Sequence, residues 1–122
     1  MVDARRSLGQ QGEEAAARFL RQRGFVILER NVRSRLGEID LVARDGAVLV
    51  FVEIKARRAG AAVPPQVSVT ARKQTRLGRL ALGYLQAKGL GESRCRFDVV
   101  AVEVGAGDQA PAIRHIPGAF TL

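Results

Sequence analysis

Cysteine occurs once in the 122 residues, at Cys95, so no internal disulfide can form. Histidine also occurs once, at His115. Without a Cys/His cluster there is no basis for a zinc site. Tryptophan is absent, and five Phe and one Tyr complete the aromatic set. That is thin material for stacking successive bases of a single strand. Residues Met1 to Leu8 hold no apolar run of the length a secretory leader needs, and no segment is long enough to span a membrane. A reducing cytoplasm and no membrane partner are the expectation. Repeats and a domain boundary are also missing. The chain is expected to be a single domain over 1–122, with short flexible ends at about 1–6 and 117–122.

Negative charge is in deficit. Twelve Asp and Glu stand against 20 Lys and Arg, a formal net charge of +8. Hydrophobic residues make up 47% of the chain, enough for a real core and too many for a disordered basic tail. A small, folded, strongly basic domain is expected to meet a polyanion: nucleic acid, an anionic membrane surface or an acidic protein.

Ser7 to Arg23 reads as a helix, with Leu8, Gly12, Ala15, Ala16, Phe19 and Leu20 at helical spacing and Gly24 as its stop. Phe25 to Leu28 is a short strand, and Asn31 to Leu36 a polar loop. Gly37 to Arg44 alternates, with Ile39, Leu41 and Ala43 on one side. Asp45-Gly46 marks a hairpin, and Ala47 to Lys55 is an apolar strand covered on both faces. Ala56 to Gln66 reads as a mobile loop. Ser68 or Thr70 caps a second helix that runs to about Lys88 and ends at Gly89. Its apolar stripe includes Leu77, Leu80, Ala81, Tyr84 and Leu85. Arg96 to Val104 is a buried strand, Gly105 to Pro111 a turn, and Ala112 to Ile116 a candidate edge strand. The order α-β-β-β-α-β predicts an α/β sandwich built on a mixed sheet.

The chemistry-bearing segment is GEIDLVARDGAVLVFVEIK, Gly37 to Lys55. A two-residue turn at Asp45-Gly46 sets Arg44 opposite Ala47, Glu38 opposite Glu53 and Asp40 opposite Phe51. Facing residues share a side of the sheet, so Glu38, Asp40, Glu53 and Lys55 fall together. An E-x-K triplet alone says little, because edge strands often carry Glu and Lys. Here it ends a strand as apolar as Val48 to Val52. Like charges a few ångströms apart are destabilising, and a divalent cation reverses the sign. Mg²⁺, with Mn²⁺ as a substitute, would supply phosphoester chemistry, and Lys55 could hold a water or neutralise charge on a phosphate. Arg57 and Arg58 follow this strand and could clamp a phosphate. Arg72, Lys73, Arg76 and Arg79 make a basic stripe suited to a phosphate track. Tyr84 is expected in the core, His115 on the surface, and Asp98 is a candidate for a buried charge network.

Gly12-Glu13, Asn31, Gly37-Glu38-Ile39-Asp40, Phe51-Val52-Glu53-Ile54-Lys55 with Arg57, and Arg96-Phe97-Asp98-Val99-Val100 resemble the YraN-like proteins. These are a bacterial family read as endonucleases and similar to archaeal Holliday junction resolvases. The resemblance covers roughly Gly9 to Val102. It implies a restriction-endonuclease-like core of the PD-(D/E)XK class. It also implies that Asp40 and Glu53 are metal ligands, that Lys55 is the catalytic lysine, and that Glu13 is the helix glutamate completing the metal site. Glu38 joins the catalytic set as a supporting carboxylate. The proline that gives the class its name is absent, since Ile39 precedes Asp40.

Two functions follow as expectations. The first is a Mg²⁺-dependent endonuclease that hydrolyses phosphodiester bonds in structured or branched nucleic acid, DNA in preference to RNA. A homodimer would help it cut two strands. With no base-reading motif, selection would rest on shape and backbone. The alternative is a non-catalytic nucleic-acid-binding module on the same fold. A full set of acids plus lysine favours the enzyme, because a retired site has no reason to keep mutually repelling charges.

Overall fold

The computed structural model describes residues 7–60 and 69–121. Helix α1 spans Leu8–Gln22. Ser7 caps it with a full capping box, its hydroxyl accepting from the Gln10 N–H while the Gln10 side chain accepts from the Ser7 N–H. Gly24, at φ 91°, turns the chain out of the helix. Strands β1 (Val26–Ser34), β2 (Gly37–Asp45) and β3 (Val48–Arg58) follow. Helix α2 (Ala71–Ala87), capped by Thr70, leads to β4 (Cys95–Val104) and β5 (Ala112–Phe120).

The strands form one sheet in the order β1-β2-β3-β4-β5. All neighbours are antiparallel except β3 and β4, which run parallel because α2 carries the chain back across the sheet. Helix α1 covers one face. Ala15, Ala16, Ala17 and Leu20 pack there on Leu41, Ala43, Val50, Val52, Val100 and Val102. Helix α2 covers the other, where Leu77, Leu80, Ala81 and Tyr84 meet Ile39, Val42 and Phe51. The mixed α/β expectation is met. Neither helix is long and apolar enough to cross a membrane.

Several expectations are corrected. Asn31 to Ser34 is strand rather than loop, and the turn shrinks to Arg35-Leu36. The hairpin turn is Gly46-Ala47, so Asp45 pairs with Val48 and Arg44 with Leu49. This moves the register by two residues and therefore keeps every side chain on its expected face of β3. Strand β3 continues through Arg58, which takes Ala56 to Arg58 out of the expected loop; residues 61–66 of that loop lie outside the described residues, as does Ser68. The candidate edge strand at Ala112 is present as β5, a seventh element, but it runs on to Phe120, so 117–120 is strand rather than a loose end. The end expected at 1–6 lies outside the described residues.

One departure matters for the site. Alternation puts Ile39 beside Leu41 and Ala43, but it packs on the α2 side. The cause lies across the ladder at Asn31, whose φ of 53° is left-handed. Pairing steps from Arg30↔Leu41 to Val32↔Ile39 over this kink. Asn tolerates that conformation better than most side chains. The kink rotates β1 and β2 together at Asp40 and switches the face of the residue beside it.

Candidate metal centre

The β2–β3 pairing runs from Asp45↔Val48 to Leu41↔Val52, after which the Asp40 carboxylate takes over. Its Oδ2 accepts the Ile54 N–H at 2.8 Å. A side chain thus serves a backbone donor at the point where β2 leaves β3, and this pins Asp40 at the mouth of the fork. Helix α1 reaches the same place through Gly12. A Cβ there would lie 2.5 Å from the Ala56 Cβ, so only glycine lets α1 come this close to β3. The next residue is Glu13.

One carboxylate oxygen from each of Glu13, Glu38 and Asp40 lies within 4.8 Å of the other two. Asn31 sits between two of them. Its amide donates to Glu13 Oε2 at 3.3 Å; with the NH₂ turned the other way, it reaches both Glu38 and Glu13 Oε1. Burial, with the charges of Glu53, Glu13 and Glu38 adding to it, pushes the Asp40 carboxyl up to about 7 against the lowering effect of the Ile54 N–H. Asp40 thus sits half-buried in a group of carboxylates whose negative charges disfavour its ionised form.

Glu53 is near enough to act on Asp40 but holds a different partner. It is 8% exposed, and Lys73 Nζ, from the first turn of α2, stands 2.5 Å from its Oε1. Ile39, Phe51, Leu77 and Phe97 line the space around it. Lys55 lies two residues further along β3, half-buried, on the same side by strand alternation. The structure therefore gathers Glu13, Glu38 and Asp40 as one group, with Glu53 and Lys55 beside it on β3.

The basic residues divide. Arg57 is engaged with β4, its Nε and NH2 donating to Glu103 Oε1 at 3.2 and 2.8 Å. Arg58 is exposed at the end of β3. Arg72, Lys73, Arg76 and Arg79 line an open groove of about 660 Å³ with Thr70, Thr75 and Leu36. Arg76 also lies along Gly37, where a Cβ would meet its Cδ at 3.7 Å, so the groove reaches the start of β2 next to Glu38.

A profile described as "Uncharacterised protein family UPF0102" matches residues 12–102. The chain belongs to this family. A UPF0102 protein of Symbiobacterium thermophilum is 56% identical over 94% of this chain and 97% of its own. Those of Pelotomaculum thermopropionicum and Moorella thermoacetica are 50% and 48% identical, each over 98% of this chain and 100% of their own. The matched stretch of the UPF0102 chain begins at Gly12, beside Glu13, and contains Asp40, Glu53, Lys55 and the whole of α2.

The roles of two residues in this UPF0102 protein are not visible to the sequence reading, although Asn31 is among those that carry the resemblance. Asn31 falls in an expected loop, though an Asn facing a carboxylate strand across a kink is a usable signal. Lys73 reads only as part of a basic stripe; its place in the first helical turn, three residues after the Thr70 cap, turns it inward. His115 is a plain correction. Its side chain is 7% exposed, not on the surface, and its Nε2 lies 2.8 Å from Asp98 Oδ2. The sequence sets it beside a Pro-Gly turn, but Pro117-Gly118 belongs to a bulge in β5 that delivers the Gly118 N–H to Asp98 Oδ1 at 3.0 Å. Arg96 completes the shell around the fully buried Asp98, at 2.8 and 3.0 Å.

Proposed function

We propose that this protein is a metal-dependent endonuclease of the PD-(D/E)XK class, hydrolysing phosphodiester bonds in structured or branched nucleic acid, DNA in preference to RNA. The observation that carries the reading is the Glu13–Glu38–Asp40 group, built from two elements at the fork of β2 and β3, with one oxygen of each within 4.8 Å of the others. The donor set is all oxygen, which fits a hard divalent ion such as Mg²⁺, with Mn²⁺ as its substitute. The element order and the placement of the acids on β2 and of E-x-K on β3 support a restriction-endonuclease-like core.

Asp40, Glu13 and Glu38 would hold the ion, with Glu53 as a further carboxylate close by. Bound there, a divalent ion supplies Lewis acidity toward a phosphate oxygen. Lys55 presents a cation on the Glu53 side of β3, positioned to offset charge that builds on the phosphate. Arg72, Arg76 and Arg79 line the groove as point contacts for a phosphate backbone, which hold the polymer without reading its bases.

A cleavage panel tests this: single-stranded, duplex, flap and four-way junction substrates, DNA and RNA, with Mg²⁺, Mn²⁺ or chelator. Cutting of a branched substrate with Mg²⁺, lost in chelator and in Asp40→Asn, is the expected result. Binding that ignores metal, with no substrate cut, would leave a non-catalytic nucleic-acid-binding module.

A further inference from the structure

The Lys73–Glu53 pair joins the two halves of the site. Lys73 lines the groove with Arg72 and Arg76, yet its ammonium lies on a carboxylate with almost no solvent exposure. Glu53 lies among apolar side chains, where an unpaired negative charge is costly and demands a cation. Its charge is also felt at Asp40, ahead of those of Glu13 and Glu38. Whichever cation holds Glu53 therefore sets how much negative charge the cluster offers.

Lysine suits a cation that must leave. Its charge sits at the end of a four-carbon stem and makes no fixed two-pronged contact. The Lys73 side chain is 36% exposed at the groove wall, so its ammonium can swing from Glu53 to a phosphate in the groove without crossing the core. We propose that Lys73 is a positioning residue that occupies Glu53 in the metal-free protein, withholds it from the cation cluster, and gives it up when a divalent cation enters. Resting on the proposed nuclease reading, this makes metal and polyanion mutually reinforcing: metal frees Lys73 for a phosphate, and a phosphate that draws Lys73 away frees Glu53 for metal.

The test is calorimetric titration with Mn²⁺, without nucleic acid, of the parent, Lys73→Met, Lys73→Arg and Arg76→Met. Lys73→Met should bind Mn²⁺ about tenfold more tightly than the parent. Lys73→Arg, which keeps a cation on Glu53, should stay near the parent. Arg76→Met removes the same charge from the same helix and groove and should change affinity less than about twofold. Equal gains in Lys73→Met and Arg76→Met would reduce the effect to the general field of α2 and overturn the proposal, as would no gain in Lys73→Met. Should Lys73→Met fail to fold, ammonium NMR of the parent decides. A Lys73 signal held by its ion pair should be lost as Mg²⁺ is added, and one unchanged at saturating Mg²⁺ refutes the exchange. If neither ion binds nor raises the melting temperature of the parent, the metal reading itself falls; if metal binds but Lys73 does not respond, only this inference falls.

Discussion

Replacing Asp40 by Asn removes one of four mutually repelling carboxylates and keeps an oxygen for the Ile54 N–H, so it isolates the cost of the charge. In the fold the Asp40 carboxyl titrates near 7, chiefly because it is buried, with Glu53, Glu13 and Glu38 adding repulsion over the opposing Ile54 hydrogen bond; its ordinary value is 3.8. The folded value lies above the unfolded one. Between about pH 4 and pH 7 the folded state therefore binds the extra proton, and stability falls as pH rises through that window. Each unit of displacement is worth about 1.4 kcal/mol, so ionised Asp40 costs about 4 kcal/mol above pH 7, or about half that if neighbouring side chains relax. Asn carries no such cost. In chelator, Asp40→Asn should match the parent near pH 4 and exceed it by about 2–4 kcal/mol at pH 8, read from urea unfolding at several pH values. Mn²⁺ at pH 8 should raise the melting temperature of the parent and leave the variant unmoved, since metal binding only the folded state stabilises it. A stability difference that does not change with pH, or a variant less stable than the parent at pH 8, would refute this account of the cluster.

Three further outcomes are expected. Ala in place of Gly inside a helix usually stabilises by up to about 1 kcal/mol, but Gly12→Ala drives a Cβ to 2.5 Å from that of Ala56 and should cost about 1–3 kcal/mol. It should also blunt the melting response to Mn²⁺ by displacing Glu13, and a second change, Ala56→Gly, should restore both. Asp98→Asn removes the buried charge that Arg96 and His115 share, leaves Arg96 with only its Asp45 partner, and should destabilise by about 2–4 kcal/mol in chemical denaturation. Burial alone would raise the Asp98 carboxyl, but hydrogen bonds from His115, Arg96 and the Gly118 N–H bring it below its usual value. Its stabilisation is thus present above the unfolded value near pH 4 and lost as pH falls through the lower, folded one. Replacing Arg72, Arg76 and Arg79 with Ala should flatten the log–log salt dependence of duplex binding by about 0.9 for each phosphate that is no longer neutralised, measured by fluorescence anisotropy; an unchanged slope would make the stripe a solvated helix face.

Much of the fold was legible because strong local signals agreed with tertiary need. The α1 stripe, the Gly24 and Gly89 stops and the apolar run of β3 each announce their element, and the core uses them as read. What misled was punctuation. Asn31 to Ser34 is polar enough to read as loop, yet pairing with β2 through Ser34↔Gly37 holds it as strand. Asp45-Gly46 is a good turn pair, but Gly46 takes the first turn position and leaves Asp45 in the ladder, where its carboxylate accepts from Arg96 NH1 at 3.1 Å. Local propensity sees the dipeptide but not the partner 51 residues along the chain that Asp45 meets.

The site divides along the same line. Alternation along a strand is a local rule, and it assigns Glu53 and Lys55 to one side of β3. It cannot say that Asp40 sits at a kink, because the kink originates in another strand, at Asn31. Nor can it say who meets whom across layers. Glu13 reaches the cluster because Gly12 has no side chain to hold α1 away from Ala56, a packing relation between residues 44 positions apart. The family resemblance implies Glu53 as a metal ligand, and the structure finds it on Lys73; a carboxylate this buried calls for a cationic partner. On the proposed metal reading, which cation it keeps would depend on the competition between an ammonium tethered to α2 and an ion held by Glu13, Glu38 and Asp40. That balance is set by three elements at once, which is why no single segment of the sequence displays it.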